Sequence, residues 1–225
     1  MTKTLFIAGT DTEVGKTAVS CALLVAAREA GLSTAAIKPV AAGCDENGCN
    51  EDALALMSCM TTTMDYAQVN PVALTSAIAP HIAAQQEGRA LRMSQLAGYC
   101  RGVVADGADL VLIEGAGGWR VPLNDRETLA DLAVAVGAGV ILVVGMRLGC
   151  INHALLSAEA ILGDGAPLLG WIANQVEGEM PCYADNLACL RQRLPCPLLG
   201  ELPQLSPFDA EAAARYFLGL DLKRL

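Results

Sequence analysis

GTDTEVGKT, residues 9–17, decides how this chain folds. An apolar run from Leu5 to Ala8 leads into it, and an apolar stretch over 15–30 leads out of it and stops at Gly31. A short run that is apolar throughout predicts a buried strand, and the longer stretch predicts a helix. The turn between them ends in Gly15-Lys16-Thr17, as the phosphate-loop pattern G-x-x-x-x-G-K-[ST] does, but five residues rather than four separate Gly9 from Gly15. In such a loop backbone N–H groups face phosphate oxygens, and the helix contributes the positive end of its dipole. Lys16 then neutralises the β- and γ-phosphates, and Thr17 offers its hydroxyl to Mg2+. An ordinary strand-to-helix turn has no need of G-K-T.

Working outward, strands are predicted at 34–37, 72–74, 109–113, 140–144, 168–173 and 197–199. Helices are predicted at 93–105, 128–136, 152–162, 183–194 and 210–218. Short apolar strands alternating with helices make a mostly parallel sheet covered on both faces, an α/β architecture. No linker, charge block, low-complexity tract or repeat divides residues 1–225, which predicts one domain. Residues 41–50, with Gly43, Asn47 and Gly48, read as a surface excursion at a strand end. Ligands of such sheets bind beyond the carboxyl ends of the strands. The informative residues are therefore 9–17, 38–39, 114–119, 145–152, 174–175 and 200–205.

Composition narrows the partners. Apolar residues make up 53% of the chain, enough for a large core and against general disorder. Asp+Glu number 24 against 15 Lys+Arg, a net charge of −9 that argues against nucleic acid and anionic membranes. A phosphate compound must be held by local geometry against that field. Of the four lysines, Lys3 and Lys223 lie near the ends, so Lys16 and Lys38 stand out. The nine cysteines are odd in number and form no C-x-x-C pair, which predicts reduced thiols, a cytoplasmic setting and no zinc site. The run 5–8 is too short for a signal-peptide core, and the uncharged stretch 132–146 is too short to span a bilayer.

Two further motifs lie at strand ends. In LVLIEG, residues 110–115, Glu114 closes an apolar strand where a carboxylate holds Mg2+ directly or through water. Gly115, Gly117 and Gly118 then let the backbone come close to a ligand. Lys38 ends the second strand, and Pro39 restricts the backbone that follows it. Asp52, in EDALAL, suits capping at a helix start as well as a metal, and the two roles are compatible. Cys150 has no evident His–Asp partners, which favours packing over nucleophilic catalysis. His81 and His153 are too few and too scattered for a metal centre. Trp119 either covers the site or packs at its edge.

Together GTDTEVGKT at 9–17, KPVAAG at 38–43, EDALAL at 51–56, VLIEGAGGW at 111–119, LGCINHALL at 148–156 and GWIANQV at 170–176 resemble dethiobiotin synthetases. PLLGELP at 197–203 resembles them more loosely. The resemblance implies a three-layer P-loop NTPase fold and an ATP-dependent ring closure in biotin synthesis. In it 7,8-diaminononanoate and CO2 form a carbamate, ATP phosphorylates the carbamate, and the second amine displaces phosphate. Lys38 matches the catalytic lysine at the carbamate, and Lys16 and Lys38 are expected to supply positive charge there from adjacent strand ends. Glu13, Val14, Gly15, Lys16, Thr17 and Ala18 match the nucleotide loop. Asp52, Glu114, Gly115, Ala116 and Gly117 match further nucleotide contacts, and Thr17, Asp52 and Glu114 match the Mg2+ ligands. Asn174, Gln175, Pro203, Gln204 and Leu205 match the surroundings of the base. Thr12, Lys38, Ala42 and Gly118 match substrate contacts. Leu148, Gly149, Cys150 and Asn152, within the loop 147–153, match the part that holds the substrate carboxylate of the other subunit across a two-fold homodimer.

The chain departs from the family at three points. Ala42 replaces a small hydroxyl residue, so one substrate contact is missing or made by backbone. Gln175 stands where Asp is common, and Gln204 replaces an aromatic beside the base. Two other readings share the variant loop. Partitioning or metal-delivery ATPases carry an early lysine, whereas this loop begins Gly9-Thr10-Asp11. Cobyrinate-type amidating synthetases add a glutaminase domain for which 225 residues leave no room.

Overall fold

The computed structural model describes residues 2–178 and 180–225. In chain order the elements are β1 (Lys3–Gly9), α1 (Lys16–Glu29), β2 (Thr34–Ile37), β3 (Ala41–Ala42), α2 (Glu51–Cys59) and α3 (Tyr66–Val69). They continue with β4 (Ala73–Leu74), α4 (Pro80–Gln86), α5 (Met93–Ala105), β5 (Leu110–Glu114), α6 (Leu129–Val136) and β6 (Gly139–Gly145). The chain then forms α7 (Cys150–Gly163), β7 (Leu168–Asn174), α8 (Tyr183–Arg193), β8 (Leu198–Leu202) and α9 (Ala210–Ala214).

Six strands form one parallel sheet in the order β2-β5-β1-β6-β7-β8, as the alternating pattern predicts. All residues of β2, β5 and β6 are buried, and apart from Thr34 and Glu114 at strand ends these strands read as apolar runs. Alternate residues feed opposite faces. Phe6, Val111 and Ile113 join the cluster under α5, α6, α7 and α8, whereas Leu5, Ile7, Leu110 and Leu112 join the cluster under α1 and α9. At about 25 cal/mol per Å2 of apolar surface, a fully buried Leu or Ile here stabilises the fold by roughly 1.5–3 kcal/mol.

β1 lies between β5 and β6, so the chain winds away from it in both directions. That reversal opens a crevice at the carboxyl end of β1, where the phosphate loop sits. The structure corrects several sequence readings. Lys16 and Lys38 do not come from adjacent strands, because β5 lies between β1 and β2 and brings Glu114 between the lysines. The strand expected at 197–199 runs on to Leu202, which takes residues 200–202 into the sheet. The helix expected at 210–218 ends at Ala214. The excursion at 41–50 is anchored at its base, since β3 pairs with β4 and Ala41 is buried.

Candidate active site

The loop before α1 is held from three sides. Glu13 and Gly15 both have positive φ, 56° and 81°, and Gly15 caps the helix in the left-handed conformation. A Cβ at Gly15 would run into the Asn174 amide, so glycine is required there for space as well as conformation. Asn174 donates from Nδ2 to the Val14 carbonyl at 2.9 Å, which locks the loop to the end of β7. Val14 points into the core and is 1% exposed. Asp11 accepts from Arg147 at 2.8 Å, and its carbonyl accepts from Lys16 Nζ at 3.1 Å.

Beneath the loop, five side chains converge. Glu114 is fully buried, and a buried carboxylate is stable only when it is paired. Its Oε1 accepts from Lys38 Nζ at 2.7 Å and lies 2.9 Å from Thr17 Oγ1, and its Oε2 accepts from Ser20 Oγ at 2.8 Å. Asp52 completes the group, accepting from Lys38 at 2.9 Å and from Thr17 at 2.7 Å. Lys38 also donates to the Gly115 carbonyl at 3.3 Å. Burial works against the Lys38 charge, but the Glu114 and Asp52 carboxylates win and hold its pKa above the ordinary lysine value. Burial also disfavours the Asp52 charge, and there Lys38 and Thr17 win, lowering its pKa. Lys16 goes the other way: burial and then the Lys38 charge bring it down to about 8.

Thr17 has one hydroxyl proton and two carboxylate oxygens within 2.9 Å. It can donate to only one, so the other contact sets lone pair against lone pair. A cation between these oxygens relieves that contact. The donors are hard oxygens, the set that suits Mg2+. Among the described residues no three His, Cys, Asp or Glu side chains form a metal cage. Two carboxylates and a hydroxyl leave the rest of a Mg2+ shell to phosphate and water.

The phosphate loop, Lys38 and Asp52 line one cleft of about 850 Å3, with Thr12, Ala42, Ala116 and Gly117 on its walls and Ile78 to Pro80 facing them. Gln175 and Gln204 lie apart, on a second cleft of about 560 Å3 with Tyr183 and Met180. Trp119 packs edge-on against Phe6 with ring centroids 6.0 Å apart, and it donates to Asp164 at 2.7 Å. It therefore fastens the 115–118 turn at the edge of the site.

The chain matches the AAA domain family profile over residues 3–212. It is 57% identical to the ATP-dependent dethiobiotin synthetase BioD of Cellvibrio japonicus, over 99% of this chain and 97% of that protein. It is 54% identical to the ATP-dependent dethiobiotin synthetase BioD of Pseudomonas paraeruginosa, over 98% of this chain and 96% of that protein. The chain belongs to the dethiobiotin synthetase family. Solved structures agree on the fold. The Aquifex aeolicus MinC:MinD cell division protein complex matches with a TM-score of 0.61 at 14% identity, over 99% of this chain and 94% of that one. Chloroplast FtsY of Physcomitrella patens matches with a TM-score of 0.57 at 17% identity, over 96% of this chain and 65% of that one. At such identities these likenesses speak to fold alone.

Not every residue suggested by the likeness to dethiobiotin synthetases gathers in one place. Thr12, Glu13, Gly15, Lys16, Thr17, Lys38, Ala42, Asp52, Ala116 and Gly117 share the first cleft. Asn50, not Asp52, caps α2, since Ala53 N–H donates to Asn50 Oδ1, which frees Asp52 for Lys38 and Thr17. Arg147, placed with the intersubunit loop, turns inward to Asp11. Leu148, Gly149, Cys150 and Asn152 stand outside this cleft. Leu148 is 97% exposed, whereas Cys150 is buried and its thiol is pushed up by burial. Ser20 escaped sequence reasoning, although it sits one turn past Thr17 on the same helix face, a spacing that marks it. Asn50 and Asn70 carried no such local signal.

Proposed function

We propose that this chain is an ATP-dependent dethiobiotin synthetase acting on 7,8-diaminononanoate and CO2. The observation that carries the reading is the convergence of Thr17, Lys38 and Asp52 with Glu114 at the floor of one cleft. The chemistry brings a triphosphate against an anionic carbamate, and local positive charge must hold them together. In the first step a substrate amine adds to CO2 and loses a proton, giving the carbamate. A carbamate oxygen takes the γ-phosphoryl group as its bond to ADP breaks. The second amine attacks the carbonyl carbon, phosphate leaves with the bonding pair, and loss of a proton closes the cyclic urea.

The residues divide the work. Lys16 and the N–H groups of the loop bind the β- and γ-phosphates. Lys38 faces the carbamate and steadies charge on its oxygens as the phosphoryl group arrives. Thr17, Asp52 and Glu114 hold Mg2+, which when bound screens the phosphates and orients the γ-phosphoryl group. Thr12, Ala42 and Gly118 border the diamine. The base lies in the second cleft, beside Asn174, Gln175, Pro203, Gln204 and Leu205, with Gln175 and Gln204 offering amides. A two-fold homodimer brings Leu148, Gly149, Cys150 and Asn152 to the partner's substrate, a role supported by the exposed Leu148 just before α7. Residues 1–225 act as one domain. The nine free thiols support a reducing, cytoplasmic setting. No helix among the described residues is long and apolar enough to cross a membrane.

The test is phosphate release with ATP, Mg2+ and bicarbonate present. Release is expected only when diaminononanoate is added, in step with product formation. Release at an unchanged rate without the diamine, or none with it, overturns the reading.

A further inference from the structure

Lys38 stands just past the end of an edge strand, so its backbone has left the sheet ladder. Its peptide groups still need partners, because the residue is 4% exposed. Both partners come from the segment that closes α3. The Lys38 N–H donates to the Val69 carbonyl at 2.8 Å, and the Lys38 carbonyl accepts from Asn70 Nδ2 at 2.7 Å. Asn70 is itself 3% exposed and fully engaged. Its amide also reaches the Val72 carbonyl at 3.4 Å, and its Oδ1 accepts from Tyr66 Oη at 3.0 Å.

The chain of bonds continues. Tyr66 Oη accepts from the Asn50 N–H at 2.7 Å, and Asn50 caps the helix on which Asp52 stands two residues later. The backbones under Lys38 and Asp52 are thus linked through Asn70, Tyr66 and Asn50. The loop closes where Lys38 Nζ meets Asp52 Oδ2 at 2.9 Å. A buried network with its members paired resists distortion, and its geometry is passed on to what it carries.

We infer that Asn70, oriented by Tyr66, is a positioning residue that sets where the Lys38 ammonium stands between Asp52, Glu114 and the substrate. Asn70 touches neither nucleotide nor diamine and acts through the backbone of Lys38. The inference rests on the proposed role of Lys38. Displacing a catalytic group by about 1 Å costs on the order of 100-fold in rate. A fault confined to Lys38 spares the nucleotide, whose phosphates are held by a separate loop.

The experiment compares Asn70→Leu, Tyr66→Phe and Lys38→Leu with the parent protein. Turnover is divided by nucleotide sites counted by titration with a non-hydrolysable ATP analogue, so misfolded molecules drop out. Asn70→Leu keeps the volume and removes the amide. It is expected to lower kcat per site on the order of 10- to 100-fold, with KM for ATP within about twofold of the parent. Tyr66→Phe keeps the Asn70 amide but frees it to swing, and is expected to lose several-fold in kcat; it decides the matter alone if Asn70→Leu does not fold. Parent-like kcat in the variants that fold, beside an inactive Lys38→Leu, overturns the inference and leaves the role of Lys38 standing. A KM for ATP that rises as far as kcat falls overturns it too, by placing Asn70 with the nucleotide. Normal turnover in Lys38→Leu instead removes the role of Lys38 itself.

Discussion

The two clefts at the carboxyl edge of the sheet are built from opposite materials. The first gathers Lys38, Asp52 and Glu114 about the Thr17 hydroxyl, with Lys16 on the phosphate loop beside them, all of them partly or wholly buried. The second is lined by the neutral side chains of Gln175, Met180, Tyr183 and Gln204 on loops and a helix start. Charges in a low-dielectric setting interact strongly and tolerate no missing partner. A neutral amide presents a donor and an acceptor, and either end can turn toward a ligand. On the proposed reading, the first cleft fixes the chemistry, and the second adds affinity for the base.

The sharpest way to break this contrast is Lys16→Ala. It removes the side chain whose ammonium rests on the Asp11 carbonyl of the phosphate loop. Loss of such an electrostatic group is expected to cut kcat/KM for ATP by about 10²–10³ or more. Steady-state kinetics with ATP varied checks it, and near-parent activity ends the phosphate-loop assignment.

The same contrast explains what could be read in the sequence. β1, α1, β2, β5, β6 and β7 announce themselves because each is a run buried along most of its length. Glu114 announces itself because a carboxylate closing an apolar strand is conspicuous. Short elements do not: β3 and β4 have two residues each, and α3 has four. Their form follows from tertiary contacts, since no pattern of period two or 3.6 fits into so few residues. The partners of Lys38 were hidden for a related reason. Glu114 lies 76 residues away and Asn70 lies 32 away, so only the fold brings them together. The family likeness named Asp52 and Thr17 as metal ligands, but it did not show that they share a hydrogen bond. Strand order was equally silent, because loop lengths do not say that β5 inserts between β1 and β2.

A milder effect sharpens the comparison through pH. Burial, and then the charge of Lys38, place the Lys16 pKa at about 8 before nucleotide arrives. A bound triphosphate favours the ammonium and raises that pKa. The contribution of Lys16 to ATP binding is then complete below about pH 8 and is lost as pH rises from there toward the bound-state pKa. Over that window affinity falls by up to about tenfold per pH unit, and binding takes up a proton. Calorimetry at about pH 7 and about pH 9.5, in buffers of different ionisation enthalpy, measures both quantities. Affinity that is flat across this range, with no proton uptake above about pH 8, contradicts the lowered pKa.

The smallest effect belongs to the second cleft. Gln204 is an exposed side chain on the loop after β8, and no charge depends on it in the way that Glu114 depends on Lys38. Gln204→Ala removes at most one neutral hydrogen bond to the base, about 0.5–1.5 kcal/mol, or roughly two- to tenfold in KM for ATP. Turnover at saturating ATP should stay at the parent value, because the γ-phosphate is held elsewhere. Discrimination between ATP and GTP reads the amide more directly. Adenine and guanine present opposite donors and acceptors along one edge, and an amide that can turn serves both, whereas alanine serves neither. The variant should therefore lose affinity for both nucleotides by similar factors and leave their ratio nearly unchanged. A large change in that ratio would show that the Gln204 amide is held in one orientation. A fall of about 100-fold in kcat, the scale reserved for the charged groups, would join the two clefts into one machine and break the division between them.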